Sequence, residues 1–249
     1  MARHRLQKAM SRFFGSIEND TAIICGEEAA HMVRTLRMRP GDVFTAIDGG
    51  AYEYDCIIEA ITSGEITANV QAKRLCAAEP EIAITLYQAY PKAAKMETIL
   101  QKCVEIGVSS FVPFLSERCV KKPEKDDTNK ISRLQKVAQE AVKQCGRCRV
   151  IGVSPILSMK EVLKQLPRHT LCLLAWEEEK AATIKEALRQ NSGAKDIALI
   201  IGPEGGFSPL EAQSMQAAGA MAVSLGRRIL RTETAGMAAC AMIMYEMEE

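Results

Sequence analysis

The chain has 249 residues, of which 47% are hydrophobic and 25% charged, the composition of a folded globular protein with material for one large or two ordinary domains. No apolar run reaches the roughly 18–20 residues of a membrane span, and no apolar signal region follows the basic start Met1-Ala2-Arg3-His4-Arg5, so neither membrane insertion nor secretion is expected. Nine cysteines, an odd number set mostly in apolar runs, point to reduced core thiols in a cytosolic protein, and the net charge of +1 says less than the distribution of charge along the chain.

Residues 1–76 are predicted to be β-rich. Val43–Ile47 and Ala51–Ile58 flank Asp48-Gly49-Gly50, a hairpin signal, and Ser63-Gly64 turns the chain again before Ile66–Val70. A short helix is expected over Glu27–Arg37, ended by Pro40-Gly41. Several short strands in so short a stretch suggest a small barrel. Ala77-Ala78-Glu79-Pro80 reads as a linker, which divides the chain into residues 1–76 and 77–249.

Beyond the linker, strands and helices alternate. Ile82–Ala89 is a strand, and Lys92–Ile106 a helix with Met96, Ile99, Leu100, Cys103 and Val104 on one face. Phe111–Leu115 is the next strand, residues 117–130 a charged loop, and a second amphipathic helix turns Ile131, Leu134, Val137, Ala138 and Ala141 inward. Further strands are predicted near 150–153, 171–175, 197–201 and 221–225, with helices near 159–166, 181–190, 209–218 and 233–247. Such alternation specifies an α/β fold with a parallel sheet covered on both faces.

The most informative stretch is Ile197–Glu211. An apolar strand runs into Gly202-Pro203-Glu204-Gly205-Gly206-Phe207, and Ser208, Pro209 and Glu211 mark a helix start with a capping box. Ligands of open α/β sheets bind at such strand ends, where a helix N-terminus is also available. There is no G-x-G-x-x-G and no P-loop, and Glu204 would repel phosphate, so the turn suits a ligand with little negative charge. If the last three strands are parallel neighbours, the loops 176–180, 202–208 and 226–232 meet. Gly226 permits close backbone approach, and Thr232 is a candidate cap for the last helix, with Glu233 in its first turn.

Gly202-Pro203-Glu204-Gly205-Gly206-Phe207 combined with Leu225-Gly226-x-x-Ile229-Leu230-Arg231-Thr232-Glu233-Thr234-Ala235 resembles the trefoil-knot (SPOUT) RNA methyltransferases, and within them the family that methylates uridine N3 in small-subunit (16S) ribosomal RNA. Lys92-x-x-Lys95-Met96-Glu97, Gln101-Lys102-x-x-Glu105-x-Gly107-Val108, Glu117-Arg118, Glu140-Ala141-x-x-Gln144-x-x-Arg147, Arg12-Phe13-Phe14, His31, Leu36-Arg37 and Gly41-Asp42 extend the resemblance over most of the chain. It implies a knotted methyltransferase domain beside a PUA-like, RNA-binding β-barrel, S-adenosylmethionine as methyl donor, and a homodimer. The knot is not readable from the composition, since knots are nearly absent from other folds. A donor without phosphate needs backbone contacts and an apolar slot, for which Leu174, Ala175, Gly202, Glu204, Gly205, Leu225, Gly226, Ile229 and Leu230 are the candidates.

Uridine N3 carries a proton at neutral pH, so methylation needs that proton removed or the anion stabilised. Arg231 is the candidate for stabilising charge on the uracil oxygens, and Glu204 and Glu233 are candidate bases, or else carboxylates that shape the loops. Residues 92–150 hold thirteen Lys or Arg against seven Asp or Glu, and the first twelve residues hold four cations and no acid. Arg12, Arg37, Lys92, Lys95, Arg118 and Arg147 are the expected RNA phosphate contacts, to ribosomal RNA either naked or in the assembled subunit. Cys145-Gly146-Arg147-Cys148 is a lone C-x-x-C, which cannot close a four-thiolate zinc site, and no metal is expected. The alternatives are a non-catalytic RNA-binding assembly factor and a knotted methyltransferase acting on another nucleotide or a ribose hydroxyl.

Overall fold

The computed structural model describes residues 11–92, 95–120 and 128–248. The N-terminal cations Arg3, Arg5 and Lys8, and residues 121–127 of the charged loop, lie outside the described residues. The chain divides into two compact units, one reaching to Glu79 and including Val142–Val150, the other comprising Pro80–Ala141 and Ile151 onward.

The first unit is a six-stranded, mainly antiparallel sheet in the order β1-β4-β5-β6-β3-β2. Its strands are β1 (Arg12–Phe14), β2 (Ser16–Glu18), β3 (Thr21–Cys25), β4 (Val43–Ile47), β5 (Tyr52–Ile61) and β6 (Glu65–Leu75). The predicted hairpin joins β4 to β5. Asp48 fixes its turn by accepting the Gly50 N–H at 2.8 Å and the Tyr54 hydroxyl at 3.0 Å, while Gly49 takes φ +84°. Alternate residues of the strands bury Phe13, Ile24, Phe44, Ile58 and Ile66 in one core. The predicted helix is a short α1 (Gly26–Ala30) that widens into a π turn at His31–Thr35.

A polar cluster is embedded in this unit. The Arg12 guanidinium pairs with Glu53 at 2.5 Å and donates to Cys148 Sγ at 3.5 Å. Glu53, Cys76 and Cys148 are all buried, with ligand-type atoms within 4.8 Å of one another. Arg12 supplies the positive charge there, and burial pushes the Cys148 thiol far above its ordinary range. Cys148 therefore faces this cluster as a neutral thiol.

The second unit is built on a parallel sheet in the order β10-β8-β7-β12-β11-β13, with β9 beside β8. These strands are β7 (Ala83–Ala89), β8 (Ser110–Leu115), β9 (Gly152–Val153), β10 (Leu157–Ser158), β11 (Leu171–Ala175), β12 (Asp196–Ile201) and β13 (Met221–Val223). The last three are neighbours, with Leu171 opposite Ile197 and Leu173 opposite Met221, so their carboxyl ends lie together. The helices are α2 (Lys95–Ile106), α3 (Thr128–Cys145, whose residues from Val142 onward belong to the first unit), α4 (Met159–Gln165), α5 (Ile184–Gln190), α6 (Pro209–Ala217) and α7 (Thr232–Met247). Helix α2 buries the five residues expected of it, and α3 buries Leu134, Ala138 and Ala141. Among the described residues, no helix is long and apolar enough to cross a membrane.

Candidate functional site

Three loops leave the carboxyl ends of β11, β12 and β13 and enclose a cavity of about 870 Å³. The loop after β11 is tied to the loop after β13 by backbone hydrogen bonds: the Ser224 N–H donates to the Ala182 carbonyl at 2.8 Å, and the Ile184 N–H to the Ser224 carbonyl at 3.1 Å. Glu179 closes its own loop by accepting the N–H groups of Ala181 and Ala182, which hold its carboxyl below the usual range.

In the β12 loop, Gly206 has φ +66°, and a Cβ there would lie 1.8 Å from Glu177 Oε1. This glycine admits both the left-handed turn and the close approach of the neighbouring loop. Gly202 lies in contact with the Phe207 ring, and its carbonyl accepts the Thr232 hydroxyl. That hydroxyl also accepts from Gln88 Nε2 at 2.9 Å. Thr232 is thus the first residue of α7 rather than its cap. Its buried hydroxyl clamps the helix to β7 and β12, and Arg231 occupies the N-cap position.

The start of α6 forms as expected, with Ser208 as cap, Pro209 in the first turn and a capping box to Glu211. This helix end is already engaged by the chain itself. The Glu211 carboxylate accepts the Glu117 N–H at 2.8 Å and the Ser116 hydroxyl at 3.2 Å, and the Ser208 hydroxyl donates to Glu117 at 2.7 Å. The helix start is satisfied by the β8 loop, and the cavity lies among the loops instead.

Of the residues expected to hold the donor, Ala175, Glu204, Leu225, Gly226, Ile229 and Leu230 line the cavity. Leu174 is buried inside the sheet, while Gly202 and Gly205 lie in the β12 turn outside the lining. Arg231 lines the cavity and is exposed. Glu204 and Glu233 are brought together by Lys95, whose Nζ lies 3.2 Å from Glu204 Oε1 and 3.0 Å from Glu233 Oε2. Burial pushes the Glu204 carboxyl up, but its own N–H, that of Lys92 and the Lys95 ammonium outweigh it and leave the pKa lowered. The Glu233 carboxyl is lowered by its own backbone N–H and by Lys95. Carboxylates held in the anionic form this way are weak proton acceptors near neutral pH, and both are engaged by Lys95.

The cations expected at RNA divide. Arg37 and Lys92 are exposed. The exposed Arg118 spends its guanidinium on the Gly205 carbonyl at 3.1 Å. Lys95 is engaged by its two carboxylates, and Arg12 by Glu53. Arg147 corrects the expectation most clearly: its side chain is 3% exposed and pairs with Glu79 at 3.1 Å, leaving no face toward a phosphate. Trp176 and Glu177, within the expected loop 176–180, line the cavity, as do Thr183 and Ser224, which lie outside the three expected loops. Ser224 directly follows the edge strand β13, and Thr183 caps α5 well beyond the end of β11, so neither carries a motif signal. His169 lies elsewhere, between Asp196 at 2.9 Å and the Tyr87 hydroxyl at 3.0 Å.

Residues 78–244 match the family model of an RNA methyltransferase domain, and residues 24–71 that of an RNA methyltransferase PUA domain. That pairing is the architecture of a PUA-bearing RNA methyltransferase. The ribosomal RNA small subunit methyltransferase E of Bacillus subtilis is 30% identical over 93% of this chain and 92% of its own length. The protein of that name from Synechocystis is 31% identical over 92% of this chain and 74% of its own length. A crystal structure of the Neisseria gonorrhoeae ribosomal RNA small subunit methyltransferase E, bound to S-adenosyl methionine, superposes with a TM-score of 0.84 at 29% identity, covering 95% of this chain and 97% of that one. The chain belongs to the ribosomal RNA small subunit methyltransferase E family.

Proposed function

We propose that this protein transfers the methyl group of S-adenosylmethionine to N3 of a uridine in 16S ribosomal RNA. The observation that carries the reading is the cavity at the ends of β11, β12 and β13, lined by the loop residues of both C-terminal motifs. Its volume lies within the range of small-molecule sites. Leu225, Ile229 and Leu230 offer an apolar wall, and no atom lies within 4 Å of where a Cβ on Gly226 would be, so a ligand can approach that backbone closely. These residues would hold the donor, which supplies an electrophilic methyl on a sulfonium.

The nucleophile is uracil N3. It forms the new N–C bond as the S–C bond breaks, the electron pair goes to sulfur, and the N3 proton leaves to solvent or a base. Arg231 stands at the N-cap of α7 on the cavity wall, where its guanidinium stabilises negative charge developing on the uracil oxygens. Lys95, Glu204 and Glu233 keep the β12 loop and the start of α7 in register, so that Arg231 is aimed before substrate arrives.

The reading includes a homodimer in the cytoplasm. Exposed Met242 and Tyr245 on α7 are apolar surface that a second copy would cover, and the nine cysteines are all free thiols, as suits a reducing compartment. Mass in solution by light scattering tests the dimer. The activity is tested by incubating the protein with methyl-labelled donor and unmodified small subunits or naked 16S RNA. Label in the RNA is the expected result, and donor binding without transfer would leave a binding protein.

A further inference from the structure

Arg227 and Arg228 follow Gly226 in the loop after β13, line the cavity and are exposed. Neither makes an ion pair or hydrogen bond among the described residues, in contrast to Lys95 and Arg118 nearby. The base of their loop is fixed. Gly226 turns the chain at φ +123°, its N–H donates to Ser224 Oγ at 3.2 Å, and that hydroxyl donates back to the Gly226 carbonyl at 3.3 Å. Ser224 is itself tied to the β11 loop by two backbone hydrogen bonds. Two adjacent like charges repel, and although Glu177, Glu179 and Glu204 line the same cavity, no described carboxylate lies within ion-pair distance of either guanidinium. A turn fixed at its base thus presents two unpaired guanidiniums on the cavity lining, and the guanidinium fork matches a phosphate with two parallel hydrogen bonds.

We propose that Arg227 and Arg228 grip the phosphates flanking the target nucleotide and hold the RNA strand across the mouth of the cavity. This inference rests on the methyltransferase reading above. The donor's carboxylate is the other anion within the same chemistry. One carboxylate would occupy one fork, whereas two neighbouring guanidiniums suit the repeated charges of a nucleic-acid backbone.

The test uses the full-length protein, with Arg227→Gln, Arg228→Gln and the double variant, and unmodified 16S RNA as probe. RNA affinity is measured over a series of salt concentrations, and donor affinity through the emission of Trp176, the chain's single tryptophan, which lines the cavity. Each lost phosphate contact should reduce the slope of log K against log salt by about 0.7–0.9, so the double variant should lose about 1.4–1.8. Donor affinity should stay the same. Arg→Lys at both positions should restore most of the slope, because charge rather than shape sets it. An unchanged slope in the double variant would overturn the proposal, and so would loss of donor affinity at an unchanged slope, which would assign the pair to the donor's carboxylate. Failure of the unaltered protein to methylate RNA would instead strike the reading of its activity, with the slopes still deciding whether these arginines bind RNA.

Discussion

Lys95 Nζ lies 3.0 Å from Glu233 Oε2, a pair that joins the first turn of α2 to the first turn of α7. The same ammonium reaches Glu204 in the β12 loop, so one cation holds two carboxylates from two separate motifs. Replacing Lys95 with Met leaves two like charges facing each other without their counter-ion. Because the ammonium is solvent-accessible, the effect should be modest. Donor affinity should fall by no more than about fivefold, as for exposed pairs. The salt dependence of RNA binding should be unchanged, since the charge is already compensated. Titration of donor against Trp176 emission and salt-dependent RNA binding check the two halves separately.

Arg231→Ala should separate chemistry from binding. Loss of a charge-stabilising group at a reacting centre costs about 100- to 1000-fold in turnover, while donor affinity should remain close to that of the unaltered protein. Single-turnover methylation and the Trp176 titration report each quantity. Weakened donor binding would mean that Arg231 shapes the donor's pocket.

Ser208→Ala removes the cap of α6 and a hydrogen bond to Glu117, at a cost of about 1–2 kcal/mol in stability. The capping box faces the β8 loop and not the cavity, so donor affinity should be little altered. Urea unfolding and donor titration on the same variant test this division.

Glu79 accepts N–H groups from Cys148 at 2.7 Å and Arg149 at 2.8 Å, and pairs with Arg147. Burial pushes its carboxyl up, but these partners outweigh burial and hold its pKa below the ordinary 4.5. A depressed carboxyl contributes stability that is fully present above its unfolded value and is lost as pH falls through its folded value. Glu204 and Glu233 act in the same direction. Stability should therefore hold from neutral pH down to about 4.5 and decline below it. Glu79→Gln should cost about 2–4 kcal/mol at neutral pH and flatten that acid decline. Unfolding by urea across pH 3 to 7 (~4 units) gives both quantities.

Where local chemistry decides the structure, the sequence was readable. Asp48-Gly49-Gly50 makes its turn with its own side chain, Ser208-Pro209 starts α6, and the inward face of α2 follows from spacing. Long-range partners were not readable. Nothing near Arg147 indicates that Glu79 will bury it, nor does anything near Arg12 foretell Glu53, so both looked like surface cations. Thr232 has the composition of a cap but was claimed by Gln88 and Gly202, which lie far away in the chain. The strands β1, β2 and β3 have three to five residues each, too short for an alternating pattern to emerge.

The atom that receives the methyl group is identified by digesting the labelled RNA to nucleosides and separating them by mass and retention. Label confined to N3-methyluridine is the predicted result. Label in a ribose methyl or in any other nucleoside would contradict it, even with the cavity, the donor and the RNA substrate all as described.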